Sequence, residues 1–314
     1  MTIQMTRRET SAANASPPAN RRRGYSDIKA ALLFLSPLAI VYAVYYGYSL
    51  FFLSKTSLTR TSISFFNSEW VGWQNFQTLV TDAVFLRSIG NTLFFASLSV
   101  VAALTVGYFI AAALASGVRA KRFFFLIFLV PTLMPTSLVA TLFGTMLQER
   151  YGLVNTILRG VGLDSLAQPW LTDPGLAFGV VSIIFCYLIG LPIMYFTADF
   201  STLPTDSLEA ALLDGAGTFR IMRSIVFPMM RATQTTIVLS LLLGAFRALE
   251  VVLFSTQGGP GQRTEIVGSY IYGFATSSGP SIGFVSAASV LVLLVAFAIS
   301  VVQIVLTRPG RKIR

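Results

Sequence analysis

The chain has 314 residues, of which 54% are hydrophobic and 11% charged, with a mean hydropathy of +0.71 and a net charge of +10. A soluble domain carries about a quarter charged residues, so this composition excludes an ordinary soluble protein and points to bilayer spans of about 20 apolar residues each. With no histidine and one cysteine, Cys186, inside an apolar run, the sequence offers no disulfide framework, no Cys/His metal site and no Ser-His or Cys-His catalytic pair.

Residues 1–28 are rich in Ser, Ala, Asn and Arg and read as a disordered basic tail. The apolar run that follows is too long for a signal peptide and no small-residue cleavage site appears after it, so the tail is expected to be uncleaved. Residues 29–307 then form an all-α domain with six spans: 30–53, 91–115, 123–146, 175–198, 233–256 and 284–306. Residues 308–314 are a second basic tail. Six spans put both termini on one side. Lys and Arg number six in the N-terminal tail with Lys29, three in 116–122, three in 199–232 and four in the C-terminal tail; the opposite loops hold three, two and one. Positive residues mark the cytoplasm, so both termini and the 199–232 loop are expected there. The basicity then reports topology and no nucleic-acid partner.

Two spans contain polar features. In the third, Pro131 and Pro135 beside Thr136, Ser137 and Thr141 free backbone carbonyls that hydroxyls or a cavity must satisfy, either shaping the bundle or lining a pathway. In the fifth, Arg247 and Glu250 cannot face lipid, where one charge costs roughly 2.5–3.5 kcal/mol. Their i, i+3 spacing predicts one helical face, on which they neutralise each other or serve a translocation cavity. Gly258, Gly259 and Pro260 follow as an external turn, since Gly permits the reversal and Pro ends the helix.

The 199–232 loop reads as two short helices. Asp206 and Glu209 stand in capping-box spacing, Gly215 is a left-handed stop after Asp214, and a second helix starts at Thr218 and runs to Pro228. Each is too short to be stable alone in water, so both need something to pack against. No G-x-x-x-x-G-K-[ST] loop occurs anywhere in the chain, which therefore has no P-loop for ATP.

Glu209-Ala210-Ala211, then Gly215, Ile225, Phe227 and Pro228, resemble the EAA signature of permease subunits of bacterial ATP-binding cassette importers, with Phe227 where that family usually has Leu. Residues 250–265 (EVVLFSTQGGPGQRTE), Tyr270-Ile271-Tyr272, residues 283–289 (GFVSAAS) and residues 71–76 (VGWQNF) with Asn91-Thr92 are similar to the first permease half of maltose and glycerol-3-phosphate importers. The resemblance covers most of residues 29–307. It implies a six-helix permease core whose EAA loop (Glu209, Ala210, Ala211, Asp214, Gly215, Ile225, Pro228) couples to ATPase subunits. The implied partners are a sister permease, two ATPase copies that bind ATP and Mg, and an external solute-binding protein. The chain itself is expected to be no enzyme and to bind no cofactor or metal.

The implied cargo is a sugar, with Glu250 in the helix lining its site, where relatives commonly carry an acid. Arg247, Phe246, Asn91, Tyr187 and Gln257 are further pathway candidates, because sugar recognition needs polar forks for hydroxyls and aromatic faces for C–H surfaces. A glycerol-3-phosphate or glycerophosphodiester importer is the alternative. An ion-coupled secondary transporter is the rival from another class, for which only Glu250 offers an intramembrane carboxylate.

Overall fold

The computed structural model describes residues 25–62, 68–187, 189–276 and 282–307. Residues 1–24 of the first tail and the whole 308–314 tail lie outside the described residues. The chain divides at Phe52 into two units. The first is described by α1 (Tyr25–Ser57), which begins inside the stretch read as tail. Its side chains from Ala30 to Phe52 are almost all exposed and apolar on every face, the pattern of a helix whose solvent is hydrocarbon. Tyr42 and Tyr46, one turn apart, stack along it with ring centroids 5.2 Å apart.

The second unit, from Leu53, opens with a two-stranded antiparallel hairpin, β1 (Thr59–Thr61) and β2 (Ser68–Trp70), in the register Thr59↔Trp70 and Thr61↔Ser68. This is a small addition to the all-α expectation. The next element, α2 (Gln74–Thr81), locks the hairpin in place: buried Asn75 donates its Nδ2 protons to the carbonyls of Ser57 and Thr59, at 2.8 and 3.0 Å.

The second span is one rod, α3 (Ala83–Ala115), beginning eight residues before the expected boundary. Asp82 caps it, accepting from the N–H groups of Val84 and Phe85. A π-turn at Ala103–Gly107 interrupts its winding. The third span is broken where Pro131 and Pro135 were expected to shape it. α4 (Lys121–Leu133) and α5 (Thr136–Met146) meet at 98°. Met134 precedes a proline and is pushed into the extended region, at ψ 144°.

In the connection that follows, α6 (Leu153–Gly160) is held by Asn155, which donates to the carbonyls of Glu149 and Gln168 and accepts from the Trp170 indole. The fourth span comprises α7 (Pro174–Tyr187) and α8 (Gly190–Phe200). The cytoplasmic-loop candidates form α9 (Thr205–Leu213) and α10 (Thr218–Met229).

The fifth span departs furthest from expectation. α11 (Arg231–Phe246) stops ten residues early, and the rest of the run is a separate helix, α12 (Leu249–Ser255). Between them the Leu249 N–H bonds to the Arg247 carbonyl at 2.9 Å, with Ala248 at φ −80° and ψ 51°, a three-residue inverse γ-turn. At its other end α11 meets α10 at 71°. Then come α13 (Val267–Thr276) and α14 (Ile282–Thr307), the sixth span. Among the described residues four helices are long and apolar enough to cross a membrane, or up to six if each bent pair, α4 with α5 and α10 with α11, counts as one span.

Apolar burial drives no net helix association in lipid, so spans approach through small residues and hydrogen bonds. Gly190 shows this clearly: a Cβ there would collide with the Thr132 hydroxyl and the Phe128 carbonyl of α4. Outward, Phe297 (67% exposed) and its neighbours on α14 present an apolar surface suited to hydrocarbon or a partner chain.

Candidate functional site

The EAA-like segment folds as the helical hairpin expected, with its ends differently made. α9 starts at Thr205 behind Pro204, without a side-chain cap. Asp206 is therefore already helical, and the expected capping box with Glu209 does not form. The stop is as expected. Gly215 adopts φ +76°, its N–H bonds to the Leu212 carbonyl and the Ala216 N–H to the Ala211 carbonyl, both at 3.0 Å. This is the Schellman arrangement, which satisfies the last carbonyls of a helix. Pro228 does not end α10; the chain continues to Met229 and bends at Met230. The Gln234 side-chain amide reaches back across the bend to the Phe227 carbonyl.

One face of the hairpin is anchored in the helix bundle. Ala211, Ile221 and Val226 are buried with Tyr108, Ile193 and Phe196, and Ile225 and Phe227 pack against the same cluster. Tyr108 of α3 lies at its centre, with its ring against those of Phe196, Phe200 and Phe227 and its hydroxyl donating to the Met222 carbonyl at 2.7 Å. The sequence reading missed this anchor, because a tyrosine in an apolar run carries no signal of its partner. Tyr108→Phe keeps the packing and removes one buried bond, so a cost of about 1 kcal/mol is expected. A melting temperature lowered by a few degrees and faster proteolysis within 205–229 would show it; unchanged values would mean that the bond contributes nothing.

The opposite face projects outward. Glu209, Ala210, Asp214 and Gly215 are exposed, and beside them stand largely exposed apolar side chains: Leu212 (59% exposed), Leu213 (89%) and Phe219 (64%), the last with one ring face stacked on Phe109. Anchored below and apolar at the tip, the hairpin is built to meet another surface.

A second site lies where the broken helices converge. The α11/α12 break and the start of α5 border a cleft of about 310 Å³ whose polar lining includes Ser99, Thr136, Ser240, Arg247 and Glu250. Discontinuous helices of this kind expose backbone groups that a transport site uses. The break places Arg247 at the end of α11 and Glu250 in the first turn of α12, so the expectation that they share one helical face is corrected. Among the described residues they form no ion pair. The Glu250 carboxylate instead reaches across to α5, where its Oε2 accepts from the Ser137 backbone N–H at 2.8 Å. Ser99, also missed in the sequence, donates from α3 to the Phe185 carbonyl at 3.1 Å, two residues before α7 ends.

The cleft brings together Arg247 and Glu250 and leaves the other four pathway candidates elsewhere. Phe246 packs into a cluster around Leu79, Phe85 and Tyr270. Tyr187 meets Phe143 edge-on at 5.4 Å. Asn91 braces the segment before α13, donating to the carbonyls of Arg263 and Glu265 at 2.9 and 2.8 Å. Gln257 occupies a left-handed position, φ +53°, directly after α12.

The turn at Gly258, Gly259 and Pro260 is tied down by fully buried Thr264. Its N–H bonds to the Gly258 carbonyl, and its hydroxyl to the Gly259 carbonyl and the Thr256 hydroxyl. Gly258, at φ +80°, also leaves room for the Glu265 carboxylate, whose pKa burial raises while a bond from Ser269 opposes the shift. Across a neighbouring pocket the Tyr270 hydroxyl donates to Asp82 at 2.7 Å. These contacts shape the turn and show no chemistry beyond that. Among the described residues no group of three or more acidic or Cys side chains is placed to hold a metal.

Broken membrane helices around a polar cleft, joined through an anchored polar hairpin, describe a membrane transport component. The chain belongs to the family described as binding-protein-dependent transport system inner membrane component, which matches residues 103–309. It is similar to the probable ABC transporter permease protein YurN of Bacillus subtilis, 29% identical over 89% of this chain and 96% of that one. It is also similar to the multiple sugar-binding transport system permease protein MsmF of Streptococcus mutans, 25% identical over 88% and 94%. Among solved structures, a bacterial ABC transporter involved in import of the acidic polysaccharide alginate contains a chain of the same fold. That chain matches with a TM-score of 0.74 at 21% identity, over 92% of this chain and 99% of that one. The alginate transporter in complex with its pentasaccharide-bound periplasmic protein matches with a TM-score of 0.71, at 21% identity over 91% and 97%.

Proposed function

We propose that this chain is a permease subunit of an ATP-driven importer that moves a sugar or sugar-like solute across the inner membrane. The observation that carries the reading is the hairpin 205–229, fixed to the bundle through Ala211, Ile221, Val226 and Tyr108 while Leu212, Leu213 and Phe219 stay largely exposed. A rigid element with an apolar tip transmits force from whatever docks on it. The absence of a P-loop in the sequence makes an ATP-hydrolysing subunit the fitting partner. The similarity to MsmF favours a sugar as cargo, and the cleft at Arg247 and Glu250 is its proposed path.

In this reading the chain pairs with a sister permease and two ATPase copies, which bind ATP and Mg, and receives cargo from a solute-binding protein outside. The distribution of Lys and Arg supports cytoplasmic termini and a cytoplasmic hairpin. Closure of the ATPases moves the hairpins, opens the cleft outward to accept the solute, and hydrolysis resets it. The chain itself makes and breaks no covalent bond. Membrane vesicles holding the assembled complex are expected to take up sugar only with ATP and the binding protein, and vanadate should stop the uptake. Uptake that follows a proton or sodium gradient without ATP would overturn the reading in favour of a secondary transporter.

A further inference from the structure

The pairing of the two charges inside the cleft narrows the cargo. Arg247 lines it, and among the described residues no carboxylate lies within ion-pair distance of its guanidinium. Glu250, three residues on, is engaged elsewhere: its Oε2 holds the Ser137 N–H at 2.8 Å, in the first turn of α5. Glu250 stands at the amino end of α5 and Arg247 at the carboxyl end of α11, so the helix ends offset the two charges alike. The other polar lining groups, Ser99, Thr136 and Ser240, are neutral.

A charge within membrane spans calls for a compensating partner. The cleft's formal charges cancel, but the pairing is uneven: the Glu250 carboxylate has a partner in the Ser137 N–H, whereas the Arg247 guanidinium, a planar fork of donors, has none among the described residues. Such a fork matches the paired oxygens of a carboxylate or phosphate better than it matches isolated hydroxyls. The Oε1 atom of Glu250 accepts no hydrogen bond among the described residues, which leaves a position for a sugar hydroxyl beside the anion.

We propose that the cargo is an acidic sugar, one bearing a carboxylate or phosphate whose oxygens pair with Arg247 during passage. This rests on the reading of the chain as a sugar permease and specifies the class of sugar. The substitution most revealing of it is Arg247→Gln, which keeps hydrogen-bond capacity and removes the charge, with Arg247→Lys as the variant that keeps charge without the fork.

The test uses the assembled complex in detergent at low salt, where charge pairing is least screened. Three probes are compared: a neutral disaccharide, the same disaccharide ending in a uronate, and its 6-phosphate. At least one acidic probe should bind about tenfold more tightly than the neutral one, a difference of about 1.4 kcal/mol. Arg247→Gln should abolish that preference and Arg247→Lys should retain part of it. The favoured acidic probe tells a carboxylate cargo from a phosphate one. Equal affinity for all three probes, a preference that survives Arg247→Gln, or binding of none would each overturn the proposal. ATP-driven uptake by the wild-type complex is read separately; its loss would sink the transporter reading itself, whatever the probes do.

Discussion

Glu209→Lys and Gly215→Val are each expected to reduce ATP-driven uptake roughly thirtyfold while the chain stays assembled in the membrane. Glu209 is exposed on the outward face of α9, and among the described residues its side chain has no hydrogen bond or ion pair. Reversing its charge leaves the fold alone and alters only what docks there. Gly215 works differently. Its φ of +76° suits glycine, and a Cβ there would meet nothing within 4 Å. Valine brings no clash, only backbone strain of about 1–2 kcal/mol in the left-handed region. The relaxation available is to re-aim α9 against α10, shifting the exposed Leu212 and Leu213. Losing one anchor of an interface typically costs about 2 kcal/mol, which corresponds to the thirtyfold loss given that 1.4 kcal/mol is about tenfold. Uptake and the solute-stimulated ATPase should fall together. Wild-type uptake in both variants would remove the hairpin from the coupling role.

Gly190→Val should instead remove the protein. The first residue of α8 sits so close to α4 that any Cβ meets the Thr132 hydroxyl and the Phe128 carbonyl. The first can rotate away, but the second is backbone and moves only with its helix. Overpacking of this kind costs about 1–3 kcal/mol and sometimes more, and in lipid no gain in apolar burial offsets it. Membrane levels of the variant and its melting temperature in detergent should both drop. Gly179→Ala is the control, because a Cβ at that position, on α7 in the same span, meets no atom within 4 Å. If Gly190→Val were as abundant and as heat-stable as Gly179→Ala, the close helix approach would carry no weight.

Much of this architecture is legible in the residues because it depends on local properties. Long apolar runs announce spans, and the break of the third span follows from Pro131 and Pro135 once the restriction on Met134 is considered. The break in the fifth span has no such herald. Between Phe246 and Leu249 stand only Arg247 and Ala248, ordinary helix formers, and the chain turns there because α12 packs along α5. Tertiary packing overrides propensity at this point, and with it goes the expected shared face of Arg247 and Glu250. Phe246 and Asn91 look like pathway residues from their place in the spans, but which way a side chain points around a helix depends on its neighbours. Phe246 fills an apolar cluster and Asn91 props up a turn.

The sequence by itself determined the membrane class, the long apolar runs, and a polar hairpin with a glycine stop in need of a partner. Those follow from hydropathy, charge and turn chemistry, which act over a few residues and survive any packing. Only the tertiary structure decided that Glu250 bonds to Ser137, 113 residues away, and that Tyr108 holds Met222, 114 residues away. Pairings over such separations depend on which helices become neighbours, and no short-range pattern encodes that. The consequence falls on the cleft. With Glu250 drawn to the amino end of α5, Arg247 is the charged group of the cleft left without a partner among the described residues.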